Sequence, residues 1–232
     1  LQNQLAEQEA LSNGLYPLAV HGLLKGHDIG LVFLGSSSNE VNGLVRTALA
    51  QAGGSLTAVA AVREPLDLKG VDQEAAGTRY ARLAGQPALV ERFGELAGRQ
   101  LVSGSPLVSK ELLSRVRASL LSAFDGQLSR LDGLVVMRAE PGGMNAEQSE
   151  ASAAFATGLL NGIAAVGVPT VGVELTKTEP SQVPWYESKN LSSVDDLDAR
   201  AGQAALIYAL GGAHGAYGAK PTADSLLPSA VP

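Results

Sequence analysis

Apolar positions along this chain fall into short unbroken runs and longer stretches that repeat at helical spacing. The run at 29–34 is the clearest of the first kind, and an unbroken apolar run of that length predicts a strand covered on both faces inside a parallel sheet. It stops at Gly35. Ser36, Ser37, Ser38 and Asn39 are the small polar residues of a tight turn and a helix cap, and Glu40 complements the positive end of that helix. Val41, Leu44, Val45, Ala48 and Leu49 then recur at helical spacing until Gly53-Gly54 closes the helix, and the run at 56–62 predicts a second strand.

Strand-like runs then cease. From 63 to about 132 the pattern predicts helices over 72–83, 87–101 and 109–131, broken at 85–87 and 103–106. An insertion this long exceeds an ordinary crossover, so a helical lobe is expected. A third strand is predicted at 133–137, a helix opened by Asn145 runs to about 165 with Ala151, Phe155, Leu159 and Ile163 on its apolar stripe, and a fourth strand follows at 169–175. Residues 176–190 form a polar connection holding Trp185 between Pro184 and Tyr186, where an aromatic pair could line a site or cover core. A last helix is expected at about 199–210. Strands alternating with helices imply right-handed crossovers and an α/β fold, a mainly parallel doubly wound sheet with a helical insertion.

The first 24 residues are polar and helical in character, with Leu1, Leu5, Leu11 and Leu15 among Gln, Asn and Glu and a candidate break at Asn13-Gly14. Leu1, Leu5 and the position of Gln8 share a stripe. Two readings stand open: a coiled-coil-like stem at 1–24 ahead of a globular domain at 25–232, or a terminal helix packed on that domain.

Composition removes several functions. The formal net charge of −6, the absence of any basic run and an aromatic content of 4% argue against nucleic acid as a partner. There is no cysteine, which excludes disulfides, thiolate metal sites and cysteine nucleophiles. No unbroken apolar stretch reaches the roughly 18 residues of a membrane helix, and no signal peptide is read. The chain opens on Leu1 instead of Met, so a longer protein is expected.

Candidate chemistry collects where an open α/β sheet usually takes ligands, beyond the carboxyl ends of its strands. Ser36, Ser37 and Ser38 could hold a phosphate or carboxylate at the helix start, and a plain capped turn explains the same residues. No G-x-G-x-x-G, P-loop or G-x-S-x-G pattern occurs. His21, His27 and His214 stand beside no nucleophile motif, so no catalytic residue is assigned. Asp195, Asp196 and Asp198 are the densest acidic group, readable as a hard-cation site or as caps of the helix that follows.

The stretch 193–198, the helix after it, Gly215-Ala-Tyr217-Gly218 and Leu227-Pro228 resemble the carboxyl-terminal signature of the actinobacterial family of mycobacterial copper transport protein B, MctB, whose members are also described as the septum protein SteB. Looser similarity extends over the Leu/Gln-rich start, the first strand, Gln51-Ala-Gly-Gly54 and the helical middle. The resemblance implies an extracytoplasmic domain of a membrane-anchored envelope protein, with the stem leading to an anchor ahead of Leu1. It implies a role in copper efflux through an envelope channel, or a septal scaffold acting with a SteA-like or peptidoglycan-hydrolase partner. It brings no catalyst and no cofactor. Copper(I) prefers Cys and Met and copper(II) prefers imidazole, and the chain offers only Met137, Met144 and three scattered His. A channel barrel would need many alternating strands of about ten residues. The expected function is therefore a non-enzymatic binding or scaffolding module, with a copper channel as the alternative and an enzyme using Ser36 to Ser38 with Asp195 and Asp196 third. Ligand contacts are expected at Ser36, Ser37, Ser38, Asp195, Asp196 and Tyr217, and a homodimer through the amino-terminal helix.

Overall fold

A computed structural model describes residues 2–104, 109–127, 129–139 and 142–229. In chain order the elements are α1 (Gln2–Val20), β1 (Asp28–Leu34), α2 (Asn39–Ala52), β2 (Ser55–Val62), α3 (Leu68–Glu74), α4 (Pro87–Ser103), α5 (Ser109–Leu120), β3 (Leu121–Gly126), β4 (Gly133–Arg138), α6 (Ala146–Ala164), β5 (Thr170–Val173), α7 (Val183–Ser188), β6 (Ser192–Val194), α8 (Arg200–Leu210) and β7 (Ala216–Tyr217). The strands form one mostly parallel sheet in the order β3-β2-β1-β4-β5-β6-β7. Chain order reverses between β1 and β4, the switch point of a doubly wound sheet.

Local chemistry places the elements that the apolar pattern predicted. β1 is buried from Ile29 onward. Ser38 caps α2 by accepting from the Val41 N–H, and Gly53, at φ +82°, ends it. Asn145 opens α6 through a reciprocal capping box with Gln148, which satisfies two helix-end donors at once.

Three expectations are corrected. The helix predicted over 109–131 stops at Leu120, and the chain turns directly into β3, antiparallel to β2. Residues 121–126 carry no buried face of their own; their strand conformation comes from pairing with Ala58 to Val62. The Arg63 guanidinium fixes the junction by donating to the Ala118 and Leu121 carbonyls. The helix predicted over 72–83 is the shorter, earlier α3, and Asp72 bonds instead to the N–H of Leu83. Residues 192–198 and the glycine-rich stretch after α8, to which the pattern assigned no strand, contribute β6 and β7.

The chain divides into two compact units. The first comprises Leu1–Ile29, Ser38–Leu56 and Pro169–Pro232, and the second Gly30–Ser37 and Thr57–Val168. In the first, α1 lies on α8: Tyr16 and Val20 are buried, the Tyr208 hydroxyl donates to the Ala19 carbonyl at 3.0 Å, and Arg200 bonds Asn13 and covers the Tyr16 ring. Asn13-Gly14 does not break α1, which runs on through Pro17. The coiled-coil stripe falls outside what is described, since Leu1 and the side chains of Leu5, Gln8 and Leu11 are not among the described parts.

In the second unit, α4 and α6 pack backbone to backbone. A Cβ on Gly94 or Gly98 would strike the Phe155 or Leu159 carbonyl, and one on Gly158 or Gly162 would strike that of Glu91 or Glu95. Each pair is four residues apart, so each helix presents one bare stripe to the other. Tyr80, Phe93 and Phe155 stack beside the contact, with centroids 5.3 and 6.1 Å apart.

Candidate functional site

The carboxyl-terminal signature is built on β6, whose three residues are buried. The chain continues straight into Asp195 and Asp196, which are buried too. Both Asp195 oxygens accept from the tail, Oδ1 from the Ala219 N–H at 2.9 Å and Oδ2 from the Lys220 N–H at 3.1 Å. Gly218 sits against this carboxylate at φ +140°, where any Cβ would collide with it, so glycine is required twice over. Tyr217 is buried, its hydroxyl donates to the His214 carbonyl at 2.8 Å, and Gly215 leaves room for its ring. Burial, and secondarily Asp224, push the Tyr217 hydroxyl up from its ordinary value.

Lys220 turns back toward the end of β5. Its ammonium donates to Glu174 Oε1 at 2.6 Å, the Thr178 carbonyl at 2.7 Å and the Leu175 carbonyl at 3.2 Å, which uses all three of its donors. Glu174, 1% exposed, also accepts from the Ser181 hydroxyl and the Gln182 N–H. A buried ion pair is held only when such extra bonds satisfy the remaining atoms. Asp198 accepts twice from Thr176, through its N–H and its hydroxyl, each at 2.8 Å. Burial works to raise Asp198, but these bonds outweigh it and hold the carboxyl below its ordinary value.

Asp196 is the exception. Its Oδ1 has no hydrogen-bond partner among the described residues, it is 3% exposed, and only the missing side chain of Gly202 lets α8 lie over it. Burial, then the charges of Asp195 and Asp198, push this carboxyl up to about 6.

None of these acids caps α8. The residue before that helix is Ala199, with no side-chain cap, so the capping expectation for Asp195, Asp196 and Asp198 fails: Asp195 anchors the tail, Asp198 binds Thr176, and Asp196 lies buried under α8. The structure brings Asp195, Asp196 and Tyr217 together in the first unit, with Ser38 elsewhere in it as the α2 cap. Ser36 and Ser37 belong to the second unit and are exposed.

That second unit carries its own group at the switch point. Gly35, at φ +100°, donates to the Val62 carbonyl at 3.1 Å, and the Ala139 N–H donates to the Leu34 carbonyl at 2.9 Å. A Cβ on Gly35 would lie 3.1 Å from Glu64 Oε2 and 3.1 Å from the Ala139 Cβ. Burial pushes the Glu64 carboxyl up, and the charge of Arg138 pulls it back. The strand ends here therefore present Gly35, Ser36, Glu64 and Arg138, while residues 140–141 lie outside the described residues.

Sequence reasoning missed Glu174, Lys220 and Glu64 as partners. One signal was present: Glu174 is the sole charge in an otherwise apolar run, and a charge so placed must find a partner when buried. Among the described residues there is no group of three or more His, Cys, Asp or Glu arranged to hold a metal, and no helix long and apolar enough to cross a membrane. Met137 and Met144 are half-buried, and Met144 Sδ accepts from the Ser152 hydroxyl at 3.6 Å.

Residues 1–228 match the sequence model of the family described as "Copper transport outer membrane protein, MctB". No curated protein matches the chain.

Proposed function

Because the chain belongs to the MctB family of copper transport outer membrane proteins, we propose that it serves copper handling at the cell envelope as a non-enzymatic, extracytoplasmic binding module and not as the conduit itself. The observation that carries this reading is the use made of most polar groups in the signature and beside it. Asp195 seats the tail, Tyr217 closes on His214, and Glu174 and Lys220 neutralise each other. Groups so engaged anchor structure and leave little for a substrate. The soft and imidazole donors that copper selects are scarce in this chain and scattered along it. An open sheet of short strands alternating with helices also supports a module that binds a partner over one that encloses a pore.

The partner side of the proposal is self-association through α1, together with an envelope protein. Leu15 and Leu18, 52% and 76% exposed, leave apolar surface on α1 that a second copy would cover. A SteA-like or peptidoglycan-hydrolase partner at the septum is the other task such a module would perform, and it rests on resemblance alone.

Titration with copper(I) and copper(II) against competing chelators tests the molecular role. No stoichiometric site is expected to survive competition. A surviving site that is lost in His214→Ala or Met144→Ala would make copper the direct ligand. Light scattering on the chain with and without residues 1–13 tests self-association, and a monomer in both forms at high concentration removes the dimer.

A further inference from the structure

In the second unit, a cavity of about 360 Å³ opens between the α3–α4 connection, α4 and α5. That volume is within the roughly 300–1,000 Å³ of small-molecule sites. Its walls include Leu96 and Leu112, and its charges are Arg79, Arg115 and Glu111.

The two arginines are held differently, and neither is neutralised by the protein among the described residues. Arg79 Nη2 donates to the Tyr80 hydroxyl at 2.8 Å, and its guanidinium stands 4.9 Å from the centroid of the Tyr80 ring. Tyr80 is itself buried against Phe93. Arg79 is therefore set on a fixed platform before any ligand arrives, which lowers the ordering cost of binding. Arg115 lies on the exposed side of α5 and makes no hydrogen bond or ion pair among the described residues. Glu111, one turn earlier, is likewise unpaired.

Two guanidinium groups against one carboxylate leave the cavity with an excess positive charge. The planar guanidinium fork matches carboxylate and phosphate oxygens, and it is more weakly hydrated than an ammonium. We propose that this cavity is a binding site for a small organic anion. A carboxylate or phosphate head is gripped by Arg79 and Arg115, an apolar body lies on Leu96 and Leu112, and Glu111 accepts from a hydroxyl or amine of the ligand. The site goes beyond the copper reading and does not depend on it.

Calorimetric titration of the full 232-residue chain at low salt, with hexanoate, hexyl phosphate, hexanol and inorganic phosphate as probes, decides the matter. At least one of the two anionic amphiphiles is expected to bind one to one, and the stronger of them identifies the head group. Arg79→Gln and Arg115→Gln are each expected to weaken it by about tenfold, the loss of one charge-assisted contact. Arg99→Gln, on an exposed pair with Glu95, leaves it unchanged. Amide NMR shifts on binding are expected to map to residues 78–80 and 111–115. Failure of both anionic amphiphiles to bind overturns the site, as does hexanol binding equally well, inorganic phosphate binding as tightly as hexyl phosphate, parent-like affinity in both arginine variants, or shifts confined elsewhere.

Discussion

The two compact units are closed by opposite kinds of contact. In the first, a charged tail is pinned inside: Asp195 receives two backbone N–H groups, and Lys220 joins Glu174 with every donor used. In the second, α4 and α6 touch through Gly94, Gly98, Gly158 and Gly162, with no polar side chain at those positions. The first kind holds only while all its partners are present and correctly ionised. The second depends only on size. Substitutions that are mild in one place are therefore severe in the other.

The largest effect is expected at Lys220. Lys220→Met leaves the Glu174 carboxylate buried without its cation, and removing one partner of a buried pair costs about 3–5 kcal/mol. Urea denaturation reads this, and adding Glu174→Gln should recover part of the loss. Next comes Gly158→Ala, whose methyl group would meet the Glu91 carbonyl. Overpacking of that kind costs about 1–3 kcal/mol. Its cost should be the same at pH 5 and pH 8, since no ionisable side chain takes part, and a strong pH dependence would blur the contrast between the units.

Asp196 gives a smaller effect of the opposite sign. Its carboxyl is raised from 3.8 to about 6 in the folded chain, so between those values the native state binds more protons than the unfolded one. Stability contributed by the protonated form is then lost as pH rises toward 6. Asp196→Asn should stabilise the chain above pH 6 by about 1 kcal/mol, the low end for a buried unsatisfied polar group. That gain should shrink to nothing near pH 4, as denaturation midpoints across this range would show. The smallest effect is expected from Lys177→Met. It breaks an ion pair with Glu40 that lies open to solvent, and thermal melting should not distinguish it from the parent, as exposed pairs of this kind are screened.

Local signals made much of the fold legible. An apolar run ending in Gly35, a serine cap and closing glycines are read over a few residues, so β1 and α2 followed from the sequence with their ends nearly in place. Asn145 at the head of α6 is a signal of the same kind. β3 was not legible because Leu121 to Gly126 has neither alternation nor a buried face, and its conformation is imposed by the neighbouring β2. The glycines at 94, 98, 158 and 162 were equally silent, because a small residue four positions from another gains meaning only when a second helix carries the matching pair.

The same division runs through the site. By itself the sequence determined the family resemblance, the acidic stretch Asp195 to Asp198, the Gly-Ala-Tyr-Gly tail and the shortage of copper ligands, all properties of residue identity and spacing. Folding alone establishes that Asp195 holds that tail, that Glu174 meets Lys220 across 46 positions, and that Asp196 keeps an oxygen with no partner among the described residues. The reason is that hydrogen bonding and desolvation depend on which groups share a buried space, and residues far apart in the chain come to share one only when the sheet is assembled.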